Sequence, residues 1–211
     1  MEDKIIQIKK WLGSGSINIF GIQFSGKDTV GIRLSENLKA EFLSSGDIVR
    51  AARDSSVDSD IQKAALASDS GILTPTDEFQ KLILPYLYDE KISGKALILS
   101  SVGRWIGEEK PVLDALHRGN HDTKAVILLN ISEEEVWQRW QIARNSRNGG
   151  RHDDIDEEKV SRRISEFKEK TLPVIDIYRE MGLLLEVDGE QSRDDTFTDV
   201  INQLYQFSLS F

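Results

Sequence analysis

The stretch Gly21-Ile22-Gln23-Phe24-Ser25-Gly26-Lys27-Asp28-Thr29 follows the apolar run at 17–20 and precedes a segment with helical spacing. Gly21, Gly26 and Lys27 stand at the G-x-x-x-x-G-K spacing of a phosphate-binding loop. Glycines let the backbone turn tightly, so that successive N–H groups point at phosphate oxygens with no Cβ in the way. The lysine adds a mobile cation, and the helix that follows turns its positive N-terminus toward the anion. Asp28 stands where the usual pattern has a Ser or Thr hydroxyl for Mg²⁺.

A chain of 211 residues is long enough for one large α/β domain. Its 39% hydrophobic and 30% charged residues fit a globular protein. The net charge of −9 excludes a general nucleic-acid binder, which needs excess Lys and Arg to neutralise phosphates. With no cysteine there is no disulfide framework, thiolate nucleophile or cysteine zinc site, and a reducing cytoplasm is the expected location. No apolar run reaches the ~18 residues of a membrane span. Residues 1–12 are charged and amphipathic, and predict a short helix packed on the domain through Ile5, Ile6, Ile8, Trp11 and Leu12.

Short apolar runs at 17–20, 41–43, 96–99, 125–131 and 183–187 predict five strands buried on both faces. Helical spacing lies between them: Val30, Leu34 and Leu38 after the loop, then 111–118, 133–144 and a long charged segment at 156–181. Such alternation predicts a parallel sheet with helices on both faces and ligands at the carboxyl ends of the strands. Two stretches break the alternation. Residues 46–88 read as several helices joined by a turn at 71–75, and the polar, glycine-rich 145–151 reads as a loop.

Further motifs lie in register with the phosphate loop. SSGDIVRAA (45–52) follows the second strand, GILTPTD spans 71–77, and Arg104 lies beyond the third strand. GRHDD (150–154), the pair Arg162-Arg163, TLPVIDIY (171–178) and VDG (187–189) complete the series. In this order and spacing, over about 17–205, the chain resembles adenylate kinases and related nucleoside monophosphate kinases. The resemblance implies an α/β fold of the phosphate-loop NTPase type: a five-stranded parallel sheet flanked by helices, with NMP-binding and short lid insertions. It divides the chain into an N-terminal helical extension (1–16) and one kinase domain (17–211), with an NMP-binding lobe at 44–90 and the lid at 144–154. The implied activity is reversible phosphoryl transfer from Mg·ATP to a nucleoside monophosphate, AMP first among them, by a cytoplasmic monomer with no nucleic-acid or membrane partner. Another nucleoside or deoxynucleoside monophosphate as acceptor is one alternative. A nucleotide-binding protein with weakened catalysis is another.

The resemblance also implies the site. Gly21, Phe24, Ser25, Gly26, Lys27, Asp28 and Thr29 hold ATP with Arg139, Arg144 and, along the adenine, Gln191. Ser45, Arg50, Ile72, Leu73, Thr74, Gly103, Arg104 and Glu108 form the monophosphate site with Arg151 and Arg163. Lys27, Arg104, Arg139, Arg151 and Arg163 are the catalytic set. Asp153 and Asp154 belong to the lid, and Mg²⁺ is held through phosphates and water with no direct protein ligand. The chemistry agrees: phosphoryl transfer relies on positioning and charge neutralisation, which lysine and planar arginines supply. Taken singly, Arg139 is an ordinary helix charge beside Trp137 and Trp140, and Asp153 and Asp154 an acidic helix start.

Three positions depart from the family pattern. Asp28 replaces a glycine; its side chain either points away or sits on Mg²⁺ or a lysine. Ser100 replaces the aspartate that helps to organise metal-bound water. Glu108 replaces the glutamine that reads adenine; it either meets the base as a carboxylate, which only accepts hydrogen bonds, or turns outward like its neighbours Glu109 and Lys110.

Overall fold

The apolar runs become β1 (Ser16–Gly21), β2 (Glu41–Ser44), β3 (Leu97–Ser100), β4 (Thr123–Asn130) and β5 (Leu184–Asp188). The computed structural model describes residues 1–46, 48, 76–145 and 156–210, with backbone alone at 76, 78 and 79. All neighbouring strands run parallel, in the order β2-β3-β1-β4-β5. Boundaries shift by one or two residues from the sequence expectation. β2 gains Ser44, which pairs with Ser100, and β4 starts at Thr123, opposite Ser16.

After β1 the chain runs out to the edge strand β2, returns to β3 beside β1, then crosses to β4 on the other side of β1. The carboxyl ends of β1 and β3 therefore flank the switch point, where open α/β sheets form their ligand crevice. Every residue of β1 is buried, as expected for a central strand covered on both faces.

The described helices are α1 (Glu2–Leu12), α2 (Lys27–Leu38), α3 (Thr76–Leu82), α4 (Glu109–Arg118), α5 (Glu133–Asn145), α6 (Glu157–Glu166), α7 (Leu172–Glu180) and α8 (Arg193–Ser208). On one face of the sheet Ile17, Ile19 and Ile127 pack against Ile8 and Leu12 of α1, Leu34 of α2 and Ile201 of α8. On the other, Phe20, Val126 and Leu128 meet Val174, Ile175 and Tyr178 of α7. The alternation of Ile17, Ile19 and Phe20 between the two clusters is the two-residue period of a strand.

Two sequence expectations are corrected. Ile6 does not pack on the domain but is 59% exposed, because the helical period aligns Ile5, Ile8 and Leu12 and turns Ile6 away. The charged segment at 156–181 is not one uniform helix: a π-helical turn, Phe167–Thr171, separates α6 from α7. Pro173 lies in the first turn of α7. Proline has no N–H to continue the α-helical ladder, which accounts for the widened turn just before it. Among the described residues no helix is long and apolar enough to cross a membrane.

Candidate active site

β1 delivers the loop and α2 receives it. Gly26 caps α2 with φ 84°, a left-handed conformation that favours glycine. At Gly21 a Cβ would lie 2.4 Å from Ser25 Oγ, so any side chain there would push the loop apart. Phe24 adopts φ 66°, an unfavourable conformation for a non-glycine residue, inside the same loop. Ser25 Oγ is buried and has no hydrogen-bond partner among the described residues. Burying an unsatisfied hydroxyl is costly, and a phosphate oxygen is the kind of acceptor that would satisfy it. Lys27, the first residue of α2, is half-buried, and Thr29 is exposed.

Arg139 braces this loop. From α5 its guanidinium donates to Phe24 O at 3.0 Å and Gly189 O at 2.7 Å, and its Nε pairs with Glu135 at 2.6 Å. These bonds tie the phosphate loop to the segment after β5. Beside them Glu190 accepts from the Ser132 backbone N–H at 2.7 Å. Hydrogen bonding from Ser132, and then the charge of Arg139, hold the Glu190 carboxyl below the usual carboxylate range. Gln191 donates to Asp188 O at 3.4 Å. Arg144 is exposed, with its guanidinium 5.3 Å from the Trp140 ring centroid. On α6 Arg163 is half-buried whereas Arg162 is exposed.

The end of β3 lies beside that of β1. Ser100 Oγ donates to Asp28 Oδ1 at 2.5 Å, joining two of the three departures from the family pattern and linking the end of β3 to the first turn of α2. Asn18, a polar residue in an apolar strand, clamps the next turn: its Nδ2 donates to Val102 O at 2.8 Å and its Oδ1 accepts from Val102 N at 3.3 Å. That polar interruption of the run at 17–20 is the sequence signal that could have singled it out. Arg104 donates to Ser101 O at 3.2 Å and Ser45 Oγ at 3.3 Å, while Ser45 Oγ donates to Ser101 O at 3.0 Å. The structure thus brings Ser45, Gly103 and Arg104 together, with Gly103 at φ 77° in the connecting turn.

Glu108 takes neither orientation expected for it. The tight turn closed by Glu108 N donating to Trp105 O brings the side chain inward, where it is 1% exposed. Its Oε2 accepts from the backbone N–H of Arg104 at 2.8 Å and of Trp105 at 3.1 Å. It fixes the turn that carries Arg104. Lys170, from the π-helical turn, lies over the Trp105 ring at 4.0 Å.

Arg50, Ile72, Leu73, Thr74, Arg151, Asp153 and Asp154 lie outside the described residues, as do most of the expected lobe and lid. Asn145, expected in the loop, is the last residue of α5. Among the described residues no group of three His, Cys, Asp or Glu side chains could hold a metal ion.

A parallel sheet whose central strand leads through a glycine-lysine loop into a helix defines the class: α/β proteins that bind nucleotide phosphates at the carboxyl end of β1. The family model described as adenylate kinase matches residues 19–183. An adenylate kinase of Agrobacterium fabrum is 31% identical over 187 residues, covering 86% of this chain and 93% of that protein. One from Clavibacter michiganensis is 32% identical, over 81% of this chain and 83% of its own. One from Bacteroides thetaiotaomicron is 28% identical, over 88% and 95%. The chain belongs to the adenylate kinase family and is a phosphotransferase.

Proposed function

We propose that this enzyme transfers the γ-phosphoryl group of Mg·ATP reversibly to AMP, giving two ADP. One observation carries the reading. The phosphate loop and Lys27 follow the carboxyl end of β1, and the Ser45–Arg104 pair follows the carboxyl ends of β2 and β3, so two groups suited to anions lie at the same end of one parallel sheet.

The acceptor phosphate oxygen attacks Pγ as the bond between Pγ and the β–γ bridging oxygen breaks, and the leaving oxygen stays on ADP. No base is required, because the acceptor phosphate is already anionic at neutral pH. Lys27, the Ser25 hydroxyl and the N-terminus of α2 hold the donor phosphates. Arg104, preset by Ser45, Ser101 and Glu108, binds the acceptor phosphate. By motif, Arg50, Arg151 and Arg163 complete the clamp, and Ile72, Leu73 and Thr74 line the acceptor nucleoside.

Mg²⁺ fits this site as a partner of the nucleotide. Mg²⁺ binds mainly to phosphates and water with one or two carboxylates. When bound it neutralises phosphate charge. The absence of cysteine suits a reducing cytoplasm, where we place the enzyme, as a monomer.

A coupled assay of ATP with AMP, GMP, CMP, UMP and dAMP tests the reading, with AMP expected to show the highest kcat/KM. Transfer to a different monophosphate in preference to AMP would replace the acceptor. No transfer to any of them, with ATP still bound, would leave a nucleotide-binding protein without catalysis.

A further inference from the structure

From the grip of Asn18 on the turn after β3 we infer that Asn18 is a positioning residue for the acceptor phosphate, acting through the seat of Arg104. The inference rests on the reading of Arg104 as the arginine that binds that phosphate.

Asn18 stands inside β1 between Ile17 and Ile19 and is only 2% exposed. A buried amide in an apolar strand costs stability unless its polar atoms are satisfied, a cost that an aliphatic side chain avoids. Both polar atoms of Asn18 go to one residue. Nδ2 donates to Val102 O at 2.8 Å, and Oδ1 accepts from Val102 N at 3.3 Å. Just before it, Ser101 N donates to Ile19 O at 2.9 Å. The side chain thus takes over where backbone pairing between β1 and β3 ends, and holds the turn by its main chain.

That grip controls one peptide group. The Val102 N–H and the Ser101 C=O belong to the same rigid, planar unit and point to opposite sides of the chain. Asn18 holds the N–H, while the C=O accepts from Arg104 Nε at 3.2 Å and from Ser45 Oγ at 3.0 Å. Turning the plane would move the oxygen on which the guanidinium rests. The turn is poorly suited to hold itself: Ser101 has φ 52°, an uncommon conformation for a non-glycine residue. Ser101, Val102 and Gly103 are all buried, so a released Val102 N–H has no solvent to meet and the peptide turns toward another partner. Glu108 secures the far end of the same turn through the Arg104 and Trp105 amides. Asn18 secures the near end.

The test is calorimetric titration of the full chain with AMP and, separately, with the Mg²⁺ complex of the β,γ-imido analogue of ATP. Asn18→Leu keeps roughly the same side-chain volume and removes both hydrogen bonds. It should weaken AMP binding about tenfold, the scale of one or two lost hydrogen bonds between uncharged groups, and leave the ATP analogue within about twofold of wild type. Arg104→Lys keeps the charge but has no guanidinium Nε to rest on Ser101 O, and should weaken AMP binding as well. Added to Arg104→Lys, Asn18→Leu should cost less than about twofold more, because the seat it disturbs is no longer used. An amide with a purely structural role would lower the melting temperature and leave AMP affinity unchanged, and that result would overturn the inference. Equal weakening of both ligands, or losses that multiply in the double variant, would overturn it too. Should Asn18→Leu fail to fold, Asn18→Thr, whose single hydroxyl cannot serve both Val102 groups, decides the matter by the same pair of dissociation constants. AMP bound equally by wild type and Arg104→Lys, or by neither, would bring down the acceptor-site reading itself and the inference with it.

Discussion

The Arg139 guanidinium donates to the backbone carbonyl of Phe24 at 3.0 Å, across 115 residues of sequence. Phe24 holds a left-handed φ, and Arg139 fixes that strained residue from outside the loop. The arginine therefore shapes the phosphate loop in the nucleotide-free protein. Arg139→Ala should lower unfolding free energy by about 1.5–3 kcal/mol, the range for hydrogen bonds to charged groups, and raise KM for ATP. Arg139→Lys should recover little of this, since one ammonium cannot serve Glu135, Phe24 and Gly189 together. Urea denaturation with ATP saturation curves checks it. Wild-type stability with a depressed kcat alone would instead make Arg139 a clamp on the transferring phosphoryl group.

Lys27→Met should cut kcat/KM by roughly 10²–10³, the usual cost of losing one preorganised charge at a developing anion. The fold should survive, because Lys27 is only half-buried at the start of α2. Full turnover in a folded variant would show that GIQFSGKDT holds no phosphate.

Glu108→Gln should leave the ratio of kcat/KM for AMP and GMP unchanged, because the carboxylate serves the Arg104 and Trp105 amides. Glu108→Ala should raise KM for AMP and cost about 1–3 kcal/mol by stranding two amides. Competition assays with both monophosphates give the ratio. A marked shift toward AMP in the Gln variant would return Glu108 to base recognition.

Tyr178 is buried against Phe20, and burial, followed by the charges of Glu109 and Glu108, raises its phenol pKa well above the ordinary value. An acid whose folded pKa is raised contributes stability that is complete below the unfolded pKa of ~10 and is lost as pH climbs toward the folded value. Urea unfolding from pH 8 to 11 should therefore show wild type losing ground to Tyr178→Phe above pH ~10, by up to about 1.4 kcal/mol per pH unit. Parallel stability curves for the two proteins would remove this role.

The β1-loop-α2 unit is readable because its information is local: an apolar run, two glycines and a lysine, then Val30, Leu34 and Leu38, the last three buried in the fold. Contacts made by topology are not. Asp28 and Ser100 are 72 residues apart and meet only because β3 lies beside β1. Glu108 sits among charges that look alike, and a single tight turn selects it for burial while Lys110 stays exposed. The π-helical turn before α7 needed the joint reading of Pro173 and the packing of Ile175 and Tyr178 on the sheet. The partners of Arg139, the backbone carbonyls of Phe24 and Gly189, carry no side-chain signature.

The pairing of α1 with α8 sets an order of assembly. Lys4 donates to Asn202 at 2.6 Å, and the rings of Trp11 and Phe207 meet edge to face at 5.9 Å, so the earliest and latest described helices complete one apolar cluster. Contacts of such long sequence separation incur a large loop-closure entropy and form slowly. During synthesis the surface of β1 and β4 that α8 covers stays open until that helix leaves the ribosome, while α1 waits without its main partner. Completion of the apolar layer that holds the phosphate-loop helix α2 therefore depends, in time, on a helix that joins it on the same face of the sheet.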